Sequence, residues 1–146
     1  MLLSYDQVRN DRIKHEAEKV RSIMSRTLFR DIDHSILSVE IELDGDMEVD
    51  GFCTQEAEYD YTIELRKGIK GEDLMRTLIH EFIHIYQYIV GDLRQEHIDG
   101  LGPRMIWMGE DLTHLDYNDR PWEIEAHRLE EELYLQYYLK VYNKLL

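Results

Sequence analysis

Two histidines and a glutamate stand at a spacing that suits a metal-dependent hydrolytic site. They belong to the string His80-Glu81-Phe82-Ile83-His84, which has the H-E-x-x-H pattern. Side chains four residues apart on a helix lie one turn above one another, with their roots about 5–6 Å apart. Two imidazoles placed in this way can bind one zinc ion at about 2.0–2.1 Å. Glu81 then projects beside the ion, where a general base is needed to take a proton from a zinc-bound water.

The residues around this string favour a metal site over a pair of unrelated surface histidines. Between Glu72 and Val90 the apolar residues fall on most faces of a helix, which predicts that the helix is central and buried. Gly91 is a suitable C-terminal stop. Buried imidazoles and a buried carboxylate are costly without partners, and a metal ion supplies one. The sequence therefore predicts a buried helix with zinc bound near its middle.

A second segment must supply the third ligand, because catalytic zinc usually has three protein ligands and a water. Pro121 suits the first position of a last helix. On that helix Glu123 and His127 share one face at i, i+4, and Glu130 extends the face. We expect Glu125 to project into solvent. Spacing alone leaves Glu123 and His127 as alternative third ligands.

The pairing of H-E-x-x-H with a later E-x-x-A, here Glu123-Ile124-Glu125-Ala126, resembles the gluzincin metallopeptidases. The resemblance implies that Glu123 is the third zinc ligand and that the substrate is a peptide or protein. His127 falls where several of these families carry an aspartate that supports the first histidine.

The wider string from Tyr117 to Ala126 is similar to the ending of small SprT-like or phage-encoded metallopeptidases, and the similarity covers residues 72–130. The chain lacks the cysteine-based zinc ribbon and the basic DNA-binding surface of SprT-type repair proteases. Tyr117 and His114 precede the expected third ligand, and either could donate a hydrogen bond to the oxyanion of a tetrahedral intermediate. We assign this role to Tyr117. The alternative is a tyrosine that only packs on the last helix.

The elements that must position these residues follow from hydrophobic periodicity. The pattern predicts helices over about residues 4–29, 72–90 and 121–144, strands at 37–43, 47–53 and 59–67, and an irregular stretch at 92–120. The Asp44-Gly45 turn predicts that the first two strands form a hairpin. We expect the third strand to lie beside the buried helix and to bind an extended peptide along its edge. The predicted fold is one α+β domain over residues 1–146, with a small, mostly antiparallel sheet and a minimal zincin-like arrangement.

Composition limits the partners. The chain has 31 acidic and 17 basic side chains and a net charge of −14, which disfavours nucleic acid. A single cysteine, Cys53, excludes a disulfide framework, and no segment has the apolar length of a membrane span or the form of a signal peptide. We therefore expect a cytoplasmic zinc peptidase with no nucleic-acid or membrane partner. A catalytically silent zinc-binding regulatory or interaction protein remains the alternative.

Overall fold

The computed structural model describes the backbone of residues 1–145 and the side chains of residues 1–138. The chain is α+β, with helices and strands in the order β1 (Leu2–Ser4), α1 (Asp11–Arg26), β2 (Ser38–Asp44), β3 (Gly51–Ala57), β4 (Asp60–Arg66), α2 (Gly71–Val90), β5 (Leu93–Ile98), β6 (Gly102–Trp107), β7 (Glu110–Asp111), a 3-10 helix (Tyr117–Asp119) and α3 (Pro121–Leu145).

The two helices expected to carry the site are present. Helix α2 begins one residue before the predicted start and ends at Val90. The next residue, Gly91, has a φ of 86°, in the left-handed region that favours glycine. Helix α3 begins at Pro121 as predicted. The two helices run antiparallel, because Arg76 near the start of α2 contacts Glu131, while Gln87 near its end contacts Trp122.

The first helix starts later than predicted. Asn10 is its N-cap and accepts a hydrogen bond from the backbone amide of Arg12. Residues Leu2–Ser4 form strand β1 instead, paired with β2. Gln7 has a φ of 64°, so the chain turns between strand and helix, and the helix cannot begin near Ser4.

The main sheet is mixed, so the prediction of a mostly antiparallel sheet was wrong here. Its strand order is β1-β2-β4-β3; β1 and β4 are parallel to β2, and only β3 is antiparallel to its neighbour. The expected hairpin between β2 and β3 does not form, because β4 lies between them. Strand β4 carries the fully buried Tyr61, Ile63 and Leu65 and takes an interior place. Strand β3, with Phe52 57% exposed, takes the edge.

This order also corrects the expected peptide-binding strand. The strand predicted at residues 59–67 is interior β4, whose two sides are both paired. The edge beside α2 belongs to β3. Any peptide added to this side of the sheet would pair with β3.

The stretch predicted to be irregular contains a second sheet. Strands β5, β6 and β7 form an antiparallel three-stranded sheet next to the end of α2. Its base packs in a small apolar cluster of Leu93, Trp107 and Trp122. The remainder of β5 is exposed on both faces, so its sequence shows no alternation of apolar and polar residues.

The main core lies between the sheet and helices α1 and α2, and α3 adds Ala126 and Leu133 to it. No helix in the described part of the chain combines the length and the apolar character that crossing a bilayer requires.

Candidate metal centre

Helix α2 brings His80, Glu81 and His84 to one buried region. All three residues are less than 10% exposed, although they are the kinds of residue that normally lie at the surface. The two imidazole rings are one helical turn apart, with centroids 4.8 Å from each other and planes nearly perpendicular. The predicted placement of these residues on a buried helix is confirmed.

Helix α3 brings the third group, Glu123, against both rings. Glu123 Oε1 lies 2.6 Å from His84 Nε2 and 3.4 Å from His80 Nε2. The possible ligand atoms of the three residues, one from each, all lie within 4.8 Å of one another. The group of His80, His84 and Glu123 could therefore hold a metal ion.

One oxygen of Glu123 indicates that the group of His80, His84 and Glu123 suits a cation. Glu123 is 6% exposed, and its second oxygen, Oε2, is buried without a hydrogen-bond partner among the described residues. A buried carboxylate oxygen that lacks a partner is costly. Two imidazole nitrogens and one carboxylate form a donor set that divalent zinc accepts. The residues present therefore fit a metal ion.

His80 is supported by a charged side chain. Its Nδ1 lies 3.0 Å from Glu130 Oε1, and because a carboxylate only accepts, Nδ1–H donates. Glu130 in turn lies 3.5 Å from the Arg76 guanidinium. This contact fixes the ring of His80 with Nε2 directed at Glu123.

His84 is supported by a neutral amide. Its Nδ1 lies 2.8 Å from Gln87 Oε1, and Gln87 itself is fully buried. Gln87 Nε2 donates to the Trp122 carbonyl at 2.9 Å and to Glu125 at 3.1 Å, which leaves Oε1 to accept from His84. Glu125 is therefore half-buried and bonded, and its predicted projection into solvent was wrong.

Without a metal, the cluster holds protons on its histidines. Burial lowers the pKa of His80, but Glu123 and Glu130 outweigh that effect and raise it to about 10. Burial also opposes the charged form of His84, and Glu123 again reverses the sign, so its pKa is raised. The pKa of Glu123 is lowered: burial opposes its ionisation, and hydrogen bonds from both histidines outweigh the burial.

Glu81 lies beside the three ligand candidates and under the edge strand. Its pKa is raised because burial disfavours the carboxylate. The backbone of Gly51 approaches it so closely that an added Cβ would lie 3.3 Å from Glu81 Oε1 and 2.5 Å from Thr77 Cγ2. Gly51 is needed there because only a residue without a side chain lets β3 come this near to α2.

Tyr117 and His127 form a pair at the rim of the site. Tyr117 OH lies 3.0 Å from His127 Nε2, and the His127 ring centroid is 4.5 Å from that of His80. Burial and the nearby Glu123 raise the pKa of Tyr117, so the hydroxyl keeps its proton. His127 groups with His80 and Glu130 in a second potential metal set, and not with His84. His114, the alternative to Tyr117, is exposed.

An open cleft of about 1010 Å³ is lined by the three ligand candidates and by Glu81, Tyr117 and His127. Helix α2 forms its floor, β3 forms one wall, and β5, β6 and the start of α3 form the other. The site is therefore accessible to a molecule much larger than water.

Two supporting residues were missed by sequence reasoning, Gln87 and Arg76. Gln87 could have been found, since a glutamine three residues after His84 in an otherwise apolar stretch needs a buried partner. Arg76 gave no such signal because Glu130, through which it supports His80, lies on another helix.

No protein-family model, curated protein or solved structure matches the chain.

Proposed function

We propose that this chain is a zinc-dependent hydrolase of peptide bonds in which Glu81 is the general base. The observation that carries the proposal is the convergence of His80, His84 and Glu123 next to a buried fourth group, Glu81, at the floor of an open cleft. Purely structural zinc sites are usually closed by four protein ligands, whereas catalytic sites have three and leave one position for water or substrate. The three-residue set and the adjacent carboxylate support a catalytic centre.

His80, His84 and Glu123 would hold the ion. Zinc bound there would supply a Lewis acid that polarises a carbonyl and lowers the pKa of a water. Glu130 and Gln87 keep the Nδ1 positions of the two histidines occupied, so that both Nε2 atoms stay directed at the ion's place.

Glu81 is suited to accept a proton. It follows His80 directly, so its carboxylate lies beside the ligand group and is not needed to complete it. Burial raises the pKa of Glu81 above its ordinary value, which makes the carboxylate a stronger base than an exposed glutamate. The close approach of Gly51 limits the room in which the Glu81 side chain can move.

Tyr117 would stabilise the developing oxyanion. Its hydroxyl stays protonated near neutral pH and lies next to Glu123 at the cleft wall. His127 holds the ring in place through the 3.0 Å contact at Nε2. Because Tyr117 is 47% exposed, its hydroxyl can reach a bound substrate.

The edge strand favours a peptide as the substrate. Strand β3 lies at the edge of the main sheet and also forms a wall of the cleft. An extended chain can pair with such an edge through main-chain hydrogen bonds, which places its carbonyl groups over the floor of the cleft. This geometry supports the zincin-like interpretation.

The experiment compares Glu81→Gln with Glu123→Gln. Glu81→Gln cannot accept a proton, so it should retain zinc and lose at least about a hundredfold in peptide hydrolysis, the lower range for loss of a general base. Glu123→Gln should lose zinc affinity itself, because a charged ligand becomes a poor one. Elemental analysis and cleavage of a peptide library, followed by mass spectrometry, provide the two measurements. Glu110→Gln, an exposed glutamate on β7, is the matched control.

Three outcomes would contradict the proposal. Wild-type protein that stays free of metal after growth with ample zinc would exclude the metal centre. A zinc-loaded wild type that cleaves nothing, or a Glu81→Gln variant as active as wild type, would instead favour the catalytically silent zinc-binding protein or a different base.

A further inference from the structure

We propose that the cleft has an anionic half and an apolar half, and that it selects peptides with cationic side chains on one side of the reacting bond and bulky apolar side chains on the other. This inference rests on the proposed peptide hydrolysis and adds the substrate class.

The cleft has two ends, which can be defined by the directions of α2, β3 and α3. Along α2, the residues that line the floor run from Asp73 to Tyr88, a distance of about 22 Å at 1.5 Å per residue. The ligand group lies between these ends. Strand β3 runs in the same direction as α2. Its residue Gly51 lies over Thr77. The later residue Gln55 pairs with Tyr61, whose ring centroid is 5.9 Å from that of Tyr88. Helix α3 runs the opposite way, so its first turn is at the Tyr88 end.

The Asp73 end is anionic. Glu48 and Asp73 are exposed in the lining of the cleft, and Glu130 is nearby. Arg76 also lies here, but it is shared by Glu131 at 2.7 Å, Glu72 at 2.8 Å and Glu130 at 3.5 Å, so it leaves the charges of Glu48 and Asp73 unpaired. A concave surface with charges of one sign focuses the field and attracts the opposite charge. This half is therefore suited to lysine and arginine side chains.

The Tyr88 end is apolar. Its lining includes Tyr88, Leu93, Met105 and Trp122, which belong to the small apolar cluster at the base of the second sheet. The cation at this end, Arg120, lies 5.9 Å from the Trp122 ring. An additional positive charge would be repelled here, whereas an aromatic or branched apolar side chain would bury its surface.

Calorimetric titration of the zinc-loaded protein with hydroxamates tests the two halves without requiring turnover. Acetohydroxamate is the parent probe. One series carries the hydroxamate at the carboxyl end of a dipeptide, and the other carries it at the amino end through a succinyl linker, so that each series extends along a different half. Each series contains Lys-Lys, Glu-Glu and Phe-Leu members.

We expect opposite preferences in the two series. In one, Lys-Lys should bind at least about tenfold more tightly than Glu-Glu, as two favourable charge contacts at a partly exposed site allow. In the other, Phe-Leu should bind at least about tenfold more tightly than either charged member. Glu48→Gln/Asp73→Asn should reduce the Lys-Lys preference to less than about threefold and leave the Phe-Leu preference intact. Met105→Gln should reduce the Phe-Leu preference and leave the Lys-Lys preference intact. Glu110→Gln should change neither preference.

The outcomes separate this inference from the proposed function. If acetohydroxamate fails to bind zinc-loaded protein, the ion has no open coordination position, so the proposed function is wrong and the inference fails with it. If acetohydroxamate binds but both series show the same preference, or if Glu48→Gln/Asp73→Asn leaves the Lys-Lys preference unchanged, the divided cleft is wrong while the metal centre stands. The Lys-Lys preference is tested by changing only the exposed Glu48 and Asp73, so it decides the question even if Met105→Gln does not fold.

Discussion

His80 and His84 are the same residue type, one turn apart on one helix, yet their surroundings differ. Behind His80 stand a carboxylate and a guanidinium, Glu130 and Arg76, and the exposed ring of His127 packs against it. Behind His84 stands a fully buried amide, Gln87, that also holds the Trp122 carbonyl. One imidazole is supported by charge near solvent, and the other by a neutral buried hydrogen-bond network.

We infer from this difference that the two supporting groups have different roles. A carboxylate behind an imidazole raises its basicity and thereby its attraction for a cation. A buried amide that bonds two helices adds mainly to stability, since each of its polar neighbours loses its partner if the amide is removed. A substitution on the His80 side should change zinc affinity. A substitution on the His84 side should also change the free energy of unfolding.

The largest effect should come from Gln87→Ala, which removes the His84 support. His84 Nδ1 and the Trp122 carbonyl would lose a buried partner, so we expect a loss of about 3 kcal/mol in the free energy of unfolding. Zinc affinity should fall by about 10–100-fold. Urea unfolding and competition with a chromophoric chelator measure the two effects. Gln95→Ala, at an exposed glutamine of β5, is the control; equal effects in the two variants would remove the distinction between the supports.

Metal removal should have a pH-dependent effect that originates largely on the His80 side. The pKa of His80 in the metal-free protein is raised from 6.5 to about 10, so its contribution to stability is complete below about pH 6.5 and is lost as the pH rises through about 10. Zinc competes with these protons, and its binding strengthens as the pH rises. The difference in melting temperature between zinc-loaded and chelator-treated protein should therefore be larger at about pH 8 than at about pH 6. A difference that is equal or smaller at the higher pH would contradict this linkage.

Glu130→Gln should weaken zinc binding by about tenfold while changing the free energy of unfolding by less than about 1 kcal/mol. The amide oxygen still accepts from His80 Nδ1–H, but the negative charge is lost. Glu131→Gln is a close control, because Glu131 also bonds Arg76 at 2.7 Å but makes no contact with His80. If Glu131→Gln weakens zinc binding as much as Glu130→Gln does, general surface charge accounts for the effect.

The smallest effect should come from His127→Ala. Loss of one hydrogen bond to Tyr117, worth about 1 kcal/mol at an exposed position, should lower kcat by about fivefold and leave zinc affinity unchanged. Tyr117→Phe, which removes the hydroxyl itself, should lower kcat further. Zinc titration of His127→Ala also tests the alternative third ligand. A loss of binding that Glu123→Gln does not show would assign that position to His127.

The candidate centre was largely predictable because its signals are local. A fixed spacing on an apolar helix predicted the placement of His80 and His84, and one face of α3 gave Glu123 together with Glu130. The pairing of strands was less predictable, because it depends on competition between segments that are distant in sequence. The Asp44-Gly45 turn indicated a hairpin, but the apolar strand β4 displaced β3 from β2. Strand β5 left no periodic pattern, since it buries little beyond Leu93.

The close contact at Gly51 has a consequence for finding relatives of this chain. A side chain at that position would collide with Thr77 and press on Glu81, so the strand could approach the helix only at a greater distance. Homologues that keep the same cleft should therefore retain a glycine about thirty residues before the H-E-x-x-H glutamate, even where the rest of β3 has diverged. A search pattern that joins this glycine to the two later motifs would select for a shared backbone approach, which the short H-E-x-x-H string alone does not encode.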